Sequence, residues 1–409
     1  MSAAAPGIRH VSADPRAASG ESARVALLGT GTVGRAVLAR LEALQRSPLS
    51  NRLSLVHVAN SRVAASDRTG LGPTATASLL GVGDAASGAS STACASAGAA
   101  VASQPAARST AAAPALVRRS TLDQLEAVLD GAATCIVIDA TASEDVATRH
   151  ARWLHQGVHV VTACKLGQGG PLARWQAIRD ARVAAGTLYG DSATVGAGLP
   201  VLRALRELQA GGDRIHAIAG VLSGSLAWLF GQFDGLRPFS GFVREARAAG
   251  YTEPDPRDDL SGEDVRRKIL ILARAAGVPL DVDDVAVESL VPDELAHVPV
   301  ADLDASLALL DTPLRTRFAR AYRNGEKLRF IARLDTRTGR PRATVGLESL
   351  PADDPLAIGA GTDNRIAIWS DRYAEQPLVI QGPGAGAGVT AAALLDDALR
   401  IAQGNRVAG

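Results

Sequence analysis

The sequence predicts an α/β chain: a doubly wound parallel sheet comes first and a domain of mixed α+β texture follows. Three observations lead to that reading. "RVALLGTGTVGRAVLARLEAL" (24–44) runs from an apolar strand through a glycine-rich turn into helix-period residues, and "LSLVHVANSR" (53–62) then supplies a second strand. "TCIVIDATAS" (134–143), "EDVATRHARWLHQG" and "VHVVTACK" (158–165) repeat strand, helix, strand, which extends a parallel sheet. After "LYGDSATVGAGLPV" (188–201) the texture changes, with "RIHAIAGVLSGSLAWLFGQF" and "LRFIARLDTRTGRPRATVGLESL" mixing strands and helices.

Length and composition allow this plan. The 409 residues are 47 % hydrophobic but only 3 % aromatic, so Val, Leu, Ile and Ala must fill the cores. A net charge of +1 offers no electrostatic reason to expect nucleic acid or an anionic membrane as partner. No apolar run is long enough to span a bilayer. Cys94, Cys135 and Cys164 are scattered without metal-ligand or CxxC spacing, which suits a reducing compartment. The first residues lack an apolar secretion-signal core, so a cytoplasmic location is expected.

In order along the chain, residues 1–21 read as a disordered tail rich in Ala, Ser, Pro and Arg. Residues 22–192 form the first domain, interrupted by a low-complexity insertion, 66–118, of Ala, Ser, Gly and Thr. Residues 193–383 form the second domain. "PLVIQGPGAGAGVTAAALLDDALRIAQG" is strand, glycine-rich turn and helix, and 384–409 is expected to return to the first domain.

"GTGTVG" places Gly29, Gly31 and Gly34 in the GxGxxG arrangement, with Thr32 and Val33 opening the helix. The first glycine permits the tight turn, the second lets backbone approach a pyrophosphate, and the third lets helix pack close to strand. Because the motif follows a strand and opens a helix, it reads as a Rossmann-like dinucleotide-binding domain. The second strand ends "ANSR", with no acid before Asp67 to bond a ribose 2′-hydroxyl. Asn60 and Arg62 instead suit a 2′-phosphate, favouring NADP over NAD, although Arg62 could equally be a solvated loop residue. Thr141 after the strand carrying Asp139 could bond the nicotinamide half or cap the next helix. Gly386 allows close backbone approach, as glycine does in any tight turn.

"GYTEPDPRDDLSGEDVRRK" (250–268) carries six carboxylates and four basic groups in nineteen positions. A charge run is usually a solvated face. A helix starting near Ser261, with Asp264 in a capping-box-like place, would turn Val265, Ile269 and Leu272 inward and Glu263, Arg266, Arg267 and Arg274 outward. Asp264 and Lys268 lie one turn apart on the apolar side, where an ion pair is costly unless something else satisfies it. A substrate cleft would resolve the conflict, as would a structural pair at a domain boundary. Lysine is scarce: Lys165, Lys268 and Lys327 are the only three among 43 basic residues. Unlike Arg, Lys can give up its proton at accessible cost.

This stretch resembles the substrate-site signature of homoserine dehydrogenases, and "TVGAGLP", "GVLSGSL" and "GAGAGVTAA" are similar to their motifs. The resemblance covers roughly residues 24–405 apart from the insertion, and the pattern is that of the dehydrogenase half of bifunctional aspartokinase enzymes and of short fungal-type enzymes. It implies a second, substrate-binding and dimerisation domain of α+β type, a homodimer, and NAD(P)-dependent interconversion of L-aspartate 4-semialdehyde and L-homoserine in threonine, methionine and isoleucine biosynthesis. By matching position, it implies Lys268 as proton donor, with Lys165 near cofactor and substrate as a second catalytic cation. Gly250, Glu253, Asp259 and Asp264 would bind substrate. A monovalent cation such as Na+ would sit on carbonyls of Ser192, Val195, Ala197 and Leu199. No kinase module precedes the dinucleotide fold in this reading, and with no ACT domain after the last helix threonine inhibition is not expected.

The resemblance departs at Cys164, where the family usually has Asn, and at Ser192, where relatives often carry an acid; here Asp191 stands one residue earlier. Two other readings compete. One is oxidative phosphorylation of a semialdehyde with Cys164 as nucleophile. The other is a non-catalytic NADP-binding member of the family.

Overall fold

The computed structural model describes residues 22–79, 115–117, 120–129, 134–359 and 361–404. The tail expected at 1–21 lies outside them.

Two sheets organise the chain. The first has seven strands in the order β4-β3-β2-β1-β5-β6-β7: β1 Ala23–Leu28, β2 Leu53–Ala59, β3 Ala64–Ser66, β4 Ala115–Val117, β5 Cys135–Asp139, β6 His159–Thr162 and β7 Tyr189–Gly190. From β2 through β7 the pairs β2/β1, β1/β5, β5/β6 and β6/β7 are parallel, and β3 and β4 add an antiparallel edge. Strand order reverses direction at β1, so a crevice opens where β1 and β5 end, the place where doubly wound sheets bind ligands.

Residues 66–118 read as one insertion, but the described parts of that range are built into the domain. Helix Pro73–Leu79 and strand β4 fall inside it, and β4 pairs with β3. Leu71 and Thr76 are buried, which composition averaged over the whole stretch concealed. The remainder, 80–114 and 118, lies outside the described residues.

The second sheet is mixed, with six strands in the order β13-β12-β8-β10-β11-β9: β8 Ile215–Val221, β9 Val285–Val287, β10 Glu326–Asp335, β11 Arg342–Pro351, β12 Asp363–Ser370 and β13 Leu378–Pro383. All its pairs are antiparallel except β11/β9. Its main core joins helices Val201–Ala210, Gly224–Gln232, Phe239–Ala248 and Glu263–Ala275 to one face of the sheet.

Helix Ala387–Ala402 packs back against helix Thr32–Leu44, and its Ala391, Leu394, Leu395, Ala398 and Ile401 enter the core of the first sheet. Helix Leu166–Gly169 of the first region meets helix Glu263–Ala275 of the second. No helix among the described residues is long and apolar enough to cross a membrane.

Candidate active site

At the end of β1 the backbone turns through Gly29 (φ +95°), and helix Thr32–Leu44 begins after Gly31. A Cβ on Gly29 would lie 2.7 Å from the Ala140 carbonyl oxygen, and one on Gly34 only 1.9 Å from that of Gly29. Both positions therefore exclude any larger residue. Gly31 faces open space, with nothing within 4 Å of where a Cβ would stand. No side chain caps this helix, so its first N–H groups, beginning with Thr32 and Val33, point into that space. A bare helix end behind an open glycine turn fits a dinucleotide pyrophosphate.

Asn60 is committed locally. Its Oδ1 accepts from Arg62 N and Val63 N, both at 2.9 Å, and its Nδ2 donates to Thr30 Oγ1 at 3.1 Å. It thus shapes the turn that carries the exposed Arg62 beside the glycine loop. Thr141 does not cap the following helix; Ser143 does, accepting from Val146 N. Instead Thr141 donates through both N and Oγ1 to Asp139 Oδ1, at 2.9 and 2.6 Å.

Asp139 is the hub of a network not foreseen in the sequence. Fully buried, it also meets His150 Nε2 at 3.1 Å and accepts from Thr162 Oγ1 at 3.2 Å through Oδ2. His150 Nδ1 bonds the Tyr189 hydroxyl at 2.9 Å, and Thr162 Oγ1 accepts from Cys164 N at 2.8 Å. One carboxylate therefore positions both loop starts, at Thr141 and at Cys164–Lys165. An acid ending a buried strand two residues before a threonine was the available signal.

Cys164 itself is buried, and burial, with the nearby Asp139 charge, pushes its thiol up to about 12. A buried thiol that holds its proton firmly makes a poor nucleophile at neutral pH, which argues against the acyl-phosphate reading.

The other wall comes from the charged stretch. Helix Glu263–Ala275 starts two residues later than the sequence suggests. Ser261 instead ends the short helix Pro256–Leu260, and Gly262, at φ +79°, forms the N-cap. Arg274 was expected to face outward but is 3 % exposed, because the first domain covers that arc. It donates to the carbonyls of Gln168, Gly170 and Leu280.

Lys268 is 8 % exposed. Its Nζ lies 2.8 Å from Asp264 Oδ2 and donates to the Leu222 carbonyl at 2.7 Å. Lys165, reaching across from the first domain, puts its Nζ 3.3 Å from Asp264 Oδ1. One carboxylate thus bridges the two lysines. Burial lowers the pKa of Lys268, against the pull of Asp264 in the other direction. For Asp264, burial would raise the pKa, but Lys268 and Lys165 overcome it and hold the carboxyl well below its ordinary value.

Asp259 accepts from Ser225 Oγ at 2.7 Å and from Glu253 N at 2.8 Å, and burial raises its pKa. It therefore fixes the Glu253 loop to the "SGS" turn, where Ser223 caps helix Gly224–Gln232. Glu253 is exposed and its carboxylate has no partner among the described residues; Gly250 (φ +71°) turns the chain ahead of it. Asn364, buried beside Leu222, donates to that same carbonyl at 3.3 Å, while its Oδ1 has no partner. Nothing in the sequence singled it out.

The turn named for a cation, 192–199, is engaged in local contacts. Ser192 N and Oγ donate to Asp397, the Leu199 carbonyl accepts from Val201 N, and Ala197 has φ +51° next to the buried Val195. Asp191 is taken by both terminal nitrogens of Arg206 and by Gln168. Among the described residues no group of three or more His, Cys, Asp or Glu could hold a metal. Gly386 (φ +128°) begins helix Ala387–Ala402.

Residues 29–189 match the family model "Homoserine dehydrogenase, NAD binding domain", and residues 200–399 match "Homoserine dehydrogenase". The homoserine dehydrogenase of Saccharomyces cerevisiae is 39 % identical over 274 residues, 66 % of this chain and 75 % of that one. The chain belongs to the homoserine dehydrogenase family. Members of this family are oxidoreductases. The chloroplastic bifunctional aspartokinase/homoserine dehydrogenase 2 of Zea mays is 45 % identical over 270 residues, 65 % of this chain, but the match spans only 29 % of that longer protein. Among solved structures, a Candida auris protein of unknown function superposes with a TM-score of 0.78 at 31 % identity, covering 93 % of this chain and 98 % of that one. A hyperthermophilic archaeal homoserine dehydrogenase in complex with NADPH shares the fold, with a TM-score of 0.67 at 18 % identity and coverage of 93 % and 97 %.

Proposed function

We propose that this chain reduces L-aspartate 4-semialdehyde to L-homoserine, reversibly, with NADPH preferred over NADH. The observation that carries the proposal is the unspent hydrogen of Lys268. An ammonium has three donors. Asp264 Oδ2 and the Leu222 carbonyl take two of them, at 2.8 and 2.7 Å, and leave the third for a ligand in the cleft.

When bound, the nicotinamide cofactor supplies the hydride. Gly29, Gly31, Gly34 and the helix end at Thr32 and Val33 would hold its pyrophosphate, and Arg62 its 2′-phosphate. Thr141, held by Asp139, and Gly386 would orient the rest. As negative charge grows on the aldehyde oxygen, Lys268 donates its free proton to that oxygen and becomes a neutral amine. Its lowered pKa makes it a readier acid, while Asp264 keeps it charged until the step. Lys165 adds a second positive charge from the opposite wall. Asp264 and Glu253 attract the substrate ammonium; Asp259 acts by holding Glu253 in place, and Gly250 turns the loop toward the substrate. A homodimer through the second sheet and a monovalent cation on carbonyls of the 192–199 turn complete the reading.

The test follows loss of NADPH absorbance with L-aspartate 4-semialdehyde, comparing wild type with Lys268→Met at matched melting temperature. Removing a positioned general acid should lower kcat by about 10²–10⁴-fold. No oxidation by the wild type despite NADPH binding would sink the proposal in favour of a non-catalytic member of the family.

A further inference from the structure

Beyond the cleft, at the C-terminal end of helix Glu263–Ala275, a cavity of about 530 Å³ opens between that helix and helices Leu172–Ala185 and Val201–Ala210. Neither Lys165 nor Lys268 lines it. Four arginines do, Arg179, Arg182, Arg206 and Arg274, and no Asp or Glu is part of its lining.

The charges are unevenly satisfied. Arg206 is neutralised by Asp191, with contacts of 2.8 and 2.6 Å, and Arg179 bonds its neighbour Asp180 at 3.1 Å. Arg274 has no carboxylate bonded to it, only backbone carbonyls, with Asp281 acting from a distance. The Arg182 side chain makes no hydrogen bond or ion pair among the described residues; burial and the neighbouring Arg206 weaken its hold on its proton, and Asp191 offsets this only in part. The Trp175 ring lies close to two of the guanidinium groups, 5.0 Å from that of Arg179 and 5.7 Å from that of Arg274. A half-enclosed space walled by four guanidinium groups, with one fork free, has a surplus of positive charge that an anion would relieve.

We propose that this cavity is a binding site for a small phosphate-bearing metabolite, whose phosphate is gripped by the free fork of Arg182 in the field of Arg274. Such a ligand would bridge helix Leu172–Ala185 of the first domain and the helix that carries Lys268. It would also bear on the segment after Lys165, because Arg274 holds the carbonyls of Gln168 and Gly170. The site is separate from the proposed reaction and does not depend on it.

The test titrates inorganic pyrophosphate into the full chain by calorimetry, with NADP+ present in saturating amount so that the glycine turn is blocked, and with ionic strength held constant by chloride. One saturable site is expected, with a rise in melting temperature. Arg182→Gln, which loses no hydrogen bond or ion pair among the described residues and should fold normally, is expected to weaken binding at least tenfold. Absence of saturable binding, or undiminished binding by Arg182→Gln, would overturn the inference. A chain that binds pyrophosphate in this Arg182-dependent way but oxidises no NADPH would leave it standing while sinking the proposed reaction.

Discussion

Two carboxylates, Asp139 and Asp264, each gather partners from separate elements, yet they do so in opposite surroundings. Asp139 is sealed, and its oxygens meet Thr141, Thr162 and His150 inside the first domain. Asp264 is half-exposed at the cleft and bridges two ammonium groups from different domains. A sealed carboxylate whose bonds are filled has nothing left for a ligand, so its contribution is geometry and stability. A carboxylate left partly open between cations keeps capacity for chemistry. Removing the first should therefore be read in unfolding, and removing the second in rate.

The largest effect is expected from Asp139→Ala. It strands the Thr141, Thr162 and His150 groups in a dry interior and should cost about 3–5 kcal/mol of stability, measurable by urea denaturation. A loss under 1 kcal/mol would show that water fills the gap and that the hub is dispensable. Asp264→Asn tests the other side. It should lower kcat/KM by roughly 10²-fold, about 2.7 kcal/mol, with little change in the urea midpoint. It should also move the alkaline fall of the rate to lower pH, because Asp264 opposes the lowering of the Lys268 pKa by burial. Equal losses of rate and stability in both variants would dissolve the distinction.

At neutral pH the smallest effect is that of the buried histidines, which shows only on acidification. Burial lowers His57 and His159 to about 4 in the folded chain, against about 6.5 when unfolded. Between those values the unfolded chain binds more protons, so stability falls as pH drops from 6.5 toward 4 and is level above that window. His57→Asn should remove up to about 1.4 kcal/mol per pH unit from that slope, without moving the alkaline limb of activity. An unchanged slope would show that His57 is not kept neutral by the fold.

Local chemistry made part of this legible. The glycine turn could be read because Gly29 and Gly34 have steric duties that only glycine meets, and Lys268 because helical periodicity places it one turn from Asp264. The helix start was misread because Ser261 and Asp264 imitate a capping box. What decides it is Gly262, where a Cβ would lie 3.0 Å from Phe330 Cζ, a residue 68 positions away. Arg274 was placed outward for the same kind of reason, since the carbonyls that receive it at Gln168 and Gly170 belong to another domain. Asn60 looked free for a ligand until its own turn claimed it. In each case the missing information was a partner distant in sequence or a backbone bend, neither of which residue type encodes.

The return of helix Ala387–Ala402 to the first sheet has a consequence during synthesis. Leu394, Leu395 and Ile401 belong to the core that β1 and β2 begin, so even after β7 is made that core stays open while the ribosome makes the roughly 200 residues between β7 and this helix. At ordinary elongation rates the wait is roughly 10–40 s. The second sheet, complete at β13 before that helix is made, is positioned to fold first, and the nucleotide turn matures last.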